Sequence, residues 1–163
     1  KQTNNFFTVL FIASKPTDLV EYIQSEEYLT KSEIEDLRSK NEAKFVIDEF
    51  STKEGAKEIV ADGYSDLGAN CKIINVSKIA KNGWPGVLIE YKVHSKKPVS
   101  LDMPLEPHIG RHYVFCYKGH LIIFNTLVLE KAETETEFEA KKRRAGSFAL
   151  IQEMINTIVF SDN

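Results

Sequence analysis

Cysteine is scarce in this chain: two in 163 residues, Cys71 and Cys116. That excludes a disulfide-built scaffold. Their spacing does not decide whether they pair, and buried free thiols are the expectation. Long apolar runs are missing too. The longest near the start, residues 6–13, is interrupted by Thr8 and falls far short of the ~20 residues that cross a bilayer. It has the look of a signal-peptide core, but its aromatic and β-branched content suits a first strand better. There is no excess of positive charge: Lys plus Arg number 21 against 24 Asp plus Glu, a net charge of -3. That balance speaks against nucleic acid or an anionic membrane as partner. The eight glycines are scattered, and no P-loop, GxGxxG, HExxH, CxxC or GxSxG stretch occurs. Backbone phosphate cradles and the common zinc and nucleophile motifs are therefore absent. A catalytic site assembled only in space would leave no such trace.

What is present is an ordinary globular composition, 42% hydrophobic and 28% charged, in a length that suits one domain. The expectation is a single α+β domain over 1–163, with a strand and helical extension in 1–42 and a core in 43–163. Residue 1 is Lys. A removed secretory or lipoprotein leader is one reading of that start, and the compartment stays open.

Thr8, Val9, Phe11 and Ile12 predict a first strand that Lys15-Pro16 ends. Two polar helices follow between residues 17 and 40, the second opened by Thr30 and Glu33 as a capping box. Residues 43–50 read as a strand, with Phe45 and Ile47 on one face. Ser51 and Glu54 form another capping box before a helix that carries Ala56, Ile59, Val60 and Leu67 at helical spacing. Four strands come next, at 71–80, 87–94, 111–118 and 121–129. Asn82-Gly83 is a hairpin signal, because the favoured turn needs positive φ at both central residues. Val87, Ile89, Tyr91 and Val93 alternate with Leu88, Glu90, Lys92 and His94, so one face of that strand is buried. The last strand is apolar on both faces and should be central. A helix over 133–159, capped by Thr134 and Glu137, should bury Phe148, Ile151, Ile155 and Ile158, with Met154 alongside; Gly146 would thin it where another backbone comes close. The sum is a largely antiparallel meander packed by a long C-terminal helix, an α+β layer fold.

This pattern resembles the Mog1/PsbP-like families over residues 43–163. Phe50-Ser51-Thr52 is similar to their strand-to-helix step, and Asn82-Gly83-Trp84-Pro85-Gly86-Val87 to their hairpin leading into a long strand. Residues 113–129, followed by a helix ending Ile155-Asn156-Thr157-Ile158-Val159-Phe160-Ser161, resemble their C-terminal half. The helices between 17 and 40 depart from the shorter N-terminus of that group. The resemblance implies a non-enzymatic adaptor or binding role without naming a partner, and no functional residue is carried over from it.

Of the chemistry-bearing residues, His108, His112 and His120 are the metal candidates, with Cys116 between them. On one strand His112 and Cys116 share a face but lie ~13 Å apart, too far to share an ion held at ~2.0–2.3 Å. Rim or partly buried histidines, with no metal and no cofactor, are the expectation. Cys116 sits among Val114, Phe115 and Tyr117 and reads as a packed thiol rather than a nucleophile. Lys141-Lys142-Arg143-Arg144 is the one dense basic run. Glu137 precedes Lys141 by four and Glu139 precedes Arg143 by four, which predicts a salt-bridged helix face.

The connection 95–110 is long for a meander and carries Pro98, Pro104 and Pro107 among Leu101, Met103, Leu105 and Ile109. Such loops are often functional; the alternative is a lid that buries those apolar residues. Trp84, in a turn between Gly83 and Pro85, is either an anchor for a partner or a staple for its own hairpin. The leading expectation is a non-catalytic domain that binds an unknown protein or stabilises an assembly. Its contact surface would be Leu101, Met103 and Leu105, with Trp84, His108 and Arg111 at the edges. A second expectation is a small-molecule binder or minor enzyme with a pocket between sheet and C-terminal helix, lined by Tyr91, His112, Tyr113 and Tyr117.

Overall fold

The computed structural model describes residues 9–16, 44, 46–62, 64, 69–81, 83–95, 107–117 and 120–159. The helices expected between 17 and 40, and Leu101, Met103 and Leu105, lie outside the described residues. Among the described residues five strands form one antiparallel sheet: β1 (Val9–Pro16), β2 (Ala69–Lys81), β3 (Trp84–Ser95), β4 (His108–Tyr117) and β5 (His120–Leu129). Their order is β1-β5-β4-β3-β2. The hairpin signal holds: Lys81 pairs with Trp84 across a two-residue turn, and Gly83 has φ +83. Apolar β5 is indeed interior, between β1 and β4. Edge strand β2 carries a bulge between Ile73 and Asn75 that turns Ile74 outward.

Helix α1 (Lys53–Asp62) covers one face of the sheet and α2 (Glu137–Thr157) the other. Alternation along the strands assigns each side chain to its layer. Under α1 lie Val87, Ile89, Tyr91 and Val93 of β3 with Val114 and Cys116 of β4. Under α2 lie Tyr113 and Phe115 of β4, Phe124 and Val128 of β5, and Phe148, Ile151 and Ile155 of the helix. Each layer contains one aromatic ring lying on a glycine across a strand pair. Tyr91 covers Gly110 under α1, and Phe115 covers Gly86 under α2; a Cβ would stand 2.3 Å and 2.6 Å from those rings.

Three local readings need correction. Residues 46–50 are helical, not a strand. Alternation would have put Asp48 on the buried face with Val46 and Phe50. Helical spacing instead buries Val46, half-buries Ile47 and Phe50, and leaves Asp48 and Glu49 exposed. The cap of α1 is accordingly Thr52, whose Oγ1 accepts from Gly55 N at 3.1 Å. Gly55 is required there, since a Cβ would lie 1.8 Å from the Glu49 carbonyl oxygen.

Helix α2 starts at Glu137, four residues later than expected. Its cap is Thr136 with Glu139: Glu139 N donates to Thr136 Oγ1 at 3.3 Å, and Thr136 N donates to Glu139 Oε2 at 2.8 Å. The same spacing occurs at Thr134 and Glu137, but Glu135 between them accepts from Ala132 N and holds that stretch as a turn. Phe148, Ile151 and Ile155 are buried as expected and Ile158 partly so, but Met154 is 48% exposed.

Candidate functional site

The densest polar chemistry in the interior lies under α1. Tyr91 reaches from β3 across Gly110 of β4, and its hydroxyl donates to Asn125 Oδ1 on β5 at 2.6 Å. Asn125 Nδ2 donates to Tyr64 Oη at 3.2 Å, and the two tyrosine oxygens are 3.0 Å apart. With the Tyr91 proton spent on Asn125, Tyr64 is the donor to Tyr91. The three groups thus close a ring of hydrogen bonds, an arrangement in which each bond polarises the next. Tyr64 stands just past the end of α1, where its N–H donates to Ala61 O at 2.9 Å. The ring therefore ties the exit of α1 to the middle of the sheet.

His112 completes this cluster. Its ring meets Tyr91 at 4.8 Å between centroids, nearly perpendicular, and both its nitrogens are buried without a hydrogen-bond partner. Burial pushes its pKa down to about 4. Burial likewise raises both tyrosine hydroxyls and pushes the Cys71 thiol up to about 11. Every one of these groups is neutral near pH 7. The arrangement holds a helix in place; it presents no thiolate and no phenolate.

On the other face, Arg111 is also occupied. Its guanidinium lies 4.1 Å over the Phe148 ring and pairs with Glu90 across the β3–β4 ladder at 2.7 Å. His108 is 7% exposed and, by strand alternation, on the α1 face. Trp84 is half-buried; its Nε1 donates to Cys116 O at 2.7 Å, and its ring packs edge-on to Tyr117. His108 opens β4 and Arg111 follows three residues later, the two side chains on opposite faces of the sheet. Trp84 is not near them: it sits beside Tyr117, six residues further along β4, a distance of about 20 Å. It staples its own hairpin to the next strand.

The lining expected for a pocket between sheet and C-terminal helix is split by the same alternation. Tyr91 and His112 face α1, whereas Tyr113 and Tyr117 face α2. The Tyr113 hydroxyl is buried without a partner. Among the described residues no three His, Cys, Asp or Glu side chains gather as metal ligands, and none of their helices is long and apolar enough to cross a membrane. Cys71 and Cys116 are free thiols, half-buried and buried.

The basic run on α2 divides in two. Arg143 reaches back over the preceding turn to Glu135, with Nε at 2.7 Å and Nη2 at 2.8 Å, and donates to the Leu129 carbonyl at 3.0 Å. Arg144 donates to the Glu130 carbonyl and approaches Glu137. The expected pairing of Glu139 with Arg143 does not form, because Glu139 is the capping carboxylate. Lys141 and Lys142 point to solvent. Past them the outside of α2 changes character: of the six exposed positions between residues 145 and 154, only Glu153 is charged. The others are Ala145, Gly146, Ala149, Leu150 and Met154, with Leu150 59% exposed. Phe138, a turn before the lysines, is 77% exposed.

Sequence reasoning missed Tyr64 and Asn125, although a lone Asn in an otherwise apolar strand was a signal of a buried partner. Nor did it single out the outer face of α2 beyond the basic run.

No protein-family model matches the chain, and no curated protein matches it. Among solved structures, it is similar to the solution structure of cyanobacterial PsbP (CyanoP) from Synechocystis sp. PCC 6803. The TM-score is 0.35 at 15% identity, over 78% of this chain and 71% of that chain. This is a distant likeness of fold to a PsbP protein and carries nothing about a site.

Proposed function

We propose that this chain is a non-catalytic binding domain that joins another protein or stabilises an assembly. The observation that carries the reading is the outer face of α2, where apolar side chains stand in solvent opposite the face that packs on the sheet. Scattered exposed apolar residues are ordinary, but a run of them over three turns of one helix is a contact surface in search of a cover. The interior supports the reading: under α1 the Tyr64, Tyr91 and Asn125 side chains spend their hydrogen bonds on one another. Leu101, Met103 and Leu105, with His108 and Arg111 at the end of their connection, are a second contact region that we propose on the strength of the sequence.

The test is affinity capture from native extract with the full chain, run beside two variants. One is Leu150→Glu with Met154→Glu; the other is Leu101→Ala, Met103→Ala and Leu105→Ala. Loss of a stoichiometric partner by either variant, with an unchanged circular dichroism spectrum, is the expected outcome. Identical capture by all three proteins contradicts the proposal.

A further inference from the structure

We infer that the outer face of α2 pairs with the same face of a second copy of this chain, the two helices running antiparallel. This rests on reading that face as a docking surface and names its occupant. Lys142 and Glu153 are both exposed, and neither takes a hydrogen bond or ion pair among the described residues. Eleven residues apart, they lie within about 20° of each other around the helix. They therefore flank the apolar stretch on one line, a positive charge at one end and a negative charge at the other. A two-fold axis between Ser147 and Phe148 sets Lys142 of each copy against Glu153 of the other, so one symmetry operation closes two ion pairs. A parallel pairing would set like charges together, so the charge pattern selects the antiparallel one.

The same register matches sizes. Ala145 comes opposite Leu150, and Gly146 opposite Ala149. Gly146 is the informative position. A Cβ there would meet nothing within 4 Å, so no packing inside the chain asks for glycine, and glycine weakens a helix interior. Between two copies its missing side chain lets the backbones approach closely. Phe138 then lies across from Thr157 at each end of the pair. Between the two ion pairs the contact spans about three helical turns, less than the ~800 Å² per partner of a standard interface, and association is expected at micromolar concentrations.

Sedimentation velocity on the full chain, from low to several hundred micromolar, tests this. The wild type should shift from monomer to dimer with concentration. Lys142→Glu and Glu153→Lys should each weaken the dimer about tenfold, and the double charge swap should restore it to near the wild-type value. A wild type that stays monomeric throughout overturns the inference, as does a dimer indifferent to all three substitutions. If the wild type is monomeric yet Leu150→Glu with Met154→Glu loses a captured partner, the pairing falls while the docking face stands. If that variant also captures everything, the docking face falls as well.

Discussion

The Tyr91 ring occupies the space that a side chain at Gly110 would need, 2.3 Å from where a Cβ would stand. The two residues are directly paired across β3 and β4. Because the Tyr91 ring is buried and held at its far end by Asn125 and Tyr64, it has little freedom to give way. Gly110→Ala should therefore destabilise the fold by roughly 2–3 kcal/mol, in the range of overpacked cores. In a Tyr91→Ala background the same substitution should cost well under half as much. Urea unfolding of the four proteins of this cycle measures the coupling; additive costs would show that the ring does not press on Gly110.

His112 makes stability depend on pH in a defined window. Its folded pKa, about 4, lies below the ordinary 6.5. Between those values the unfolded chain binds a proton that the folded chain does not, so stability must fall as pH falls from 6.5 toward 4. The window is worth roughly 3 kcal/mol. Chemical denaturation at intervals from pH 7 to pH 4 should show this slope in the wild type and lose most of it in His112→Phe. An equal slope in both would mean that His112 is not the buried titrating group.

Arg143 anchors the start of α2 through Glu135 and the Leu129 carbonyl. The hydrogen bonds from Arg143 and from Ala132 N hold the Glu135 carboxyl down at about 2. Arg143→Lys keeps the charge but not the paired donors, and should cost about 1–2 kcal/mol. The loss should be accompanied by faster hydrogen exchange at Ala132 and Thr136, whose amides face the two carboxylates of this turn. The folded pKa of Glu135 is depressed, so its contribution is complete above about pH 4.5 and disappears as pH drops toward 2. Unchanged melting and exchange in Arg143→Lys would remove the anchor from the account.

Neither thiol should be reactive. Burial pushes Cys71 up to about 11, so at pH 7.5 almost no thiolate is present there, and Cys116 is fully buried and closed to the reagent. Iodoacetamide should modify the native protein at least tenfold more slowly than the unfolded chain, by about the ratio of thiolate fractions. Rapid native labelling of Cys71 would show that it is more open than described.

Much of the architecture was legible because strand periodicity and turn chemistry act locally. Asn82-Gly83 specified the hairpin, the alternation from Val87 to His94 specified its faces, and the apolar run of β5 specified a position between two other strands. Residues 46–50 were misread because Val, Ile and Phe favour strands intrinsically, while the exposed Asp48 and Glu49 carried the helical signal. The start of α2 was displaced because two overlapping Thr-x-x-Glu patterns compete, and a side chain eight residues away, Arg143, takes the carboxylate that decides between them. The ring formed by Tyr64, Tyr91 and Asn125 joins residues 27 to 61 positions apart, which no local pattern encodes. Surface candidates fared likewise. Trp84 and Arg111 are both on the α2 side of the sheet, yet register separates them by about 20 Å along β4.

The central claim is that the outer face of α2 is covered by another protein chain. A photoreactive benzoylphenylalanine placed at Leu150 in the full-length protein, irradiated in the native cell, measures this directly; the same residue at the exposed Lys57 on α1 is the control. A discrete protein adduct from position 150, much stronger than from position 57, is the predicted result. No adduct at 150, or equal adducts from both positions, would contradict it.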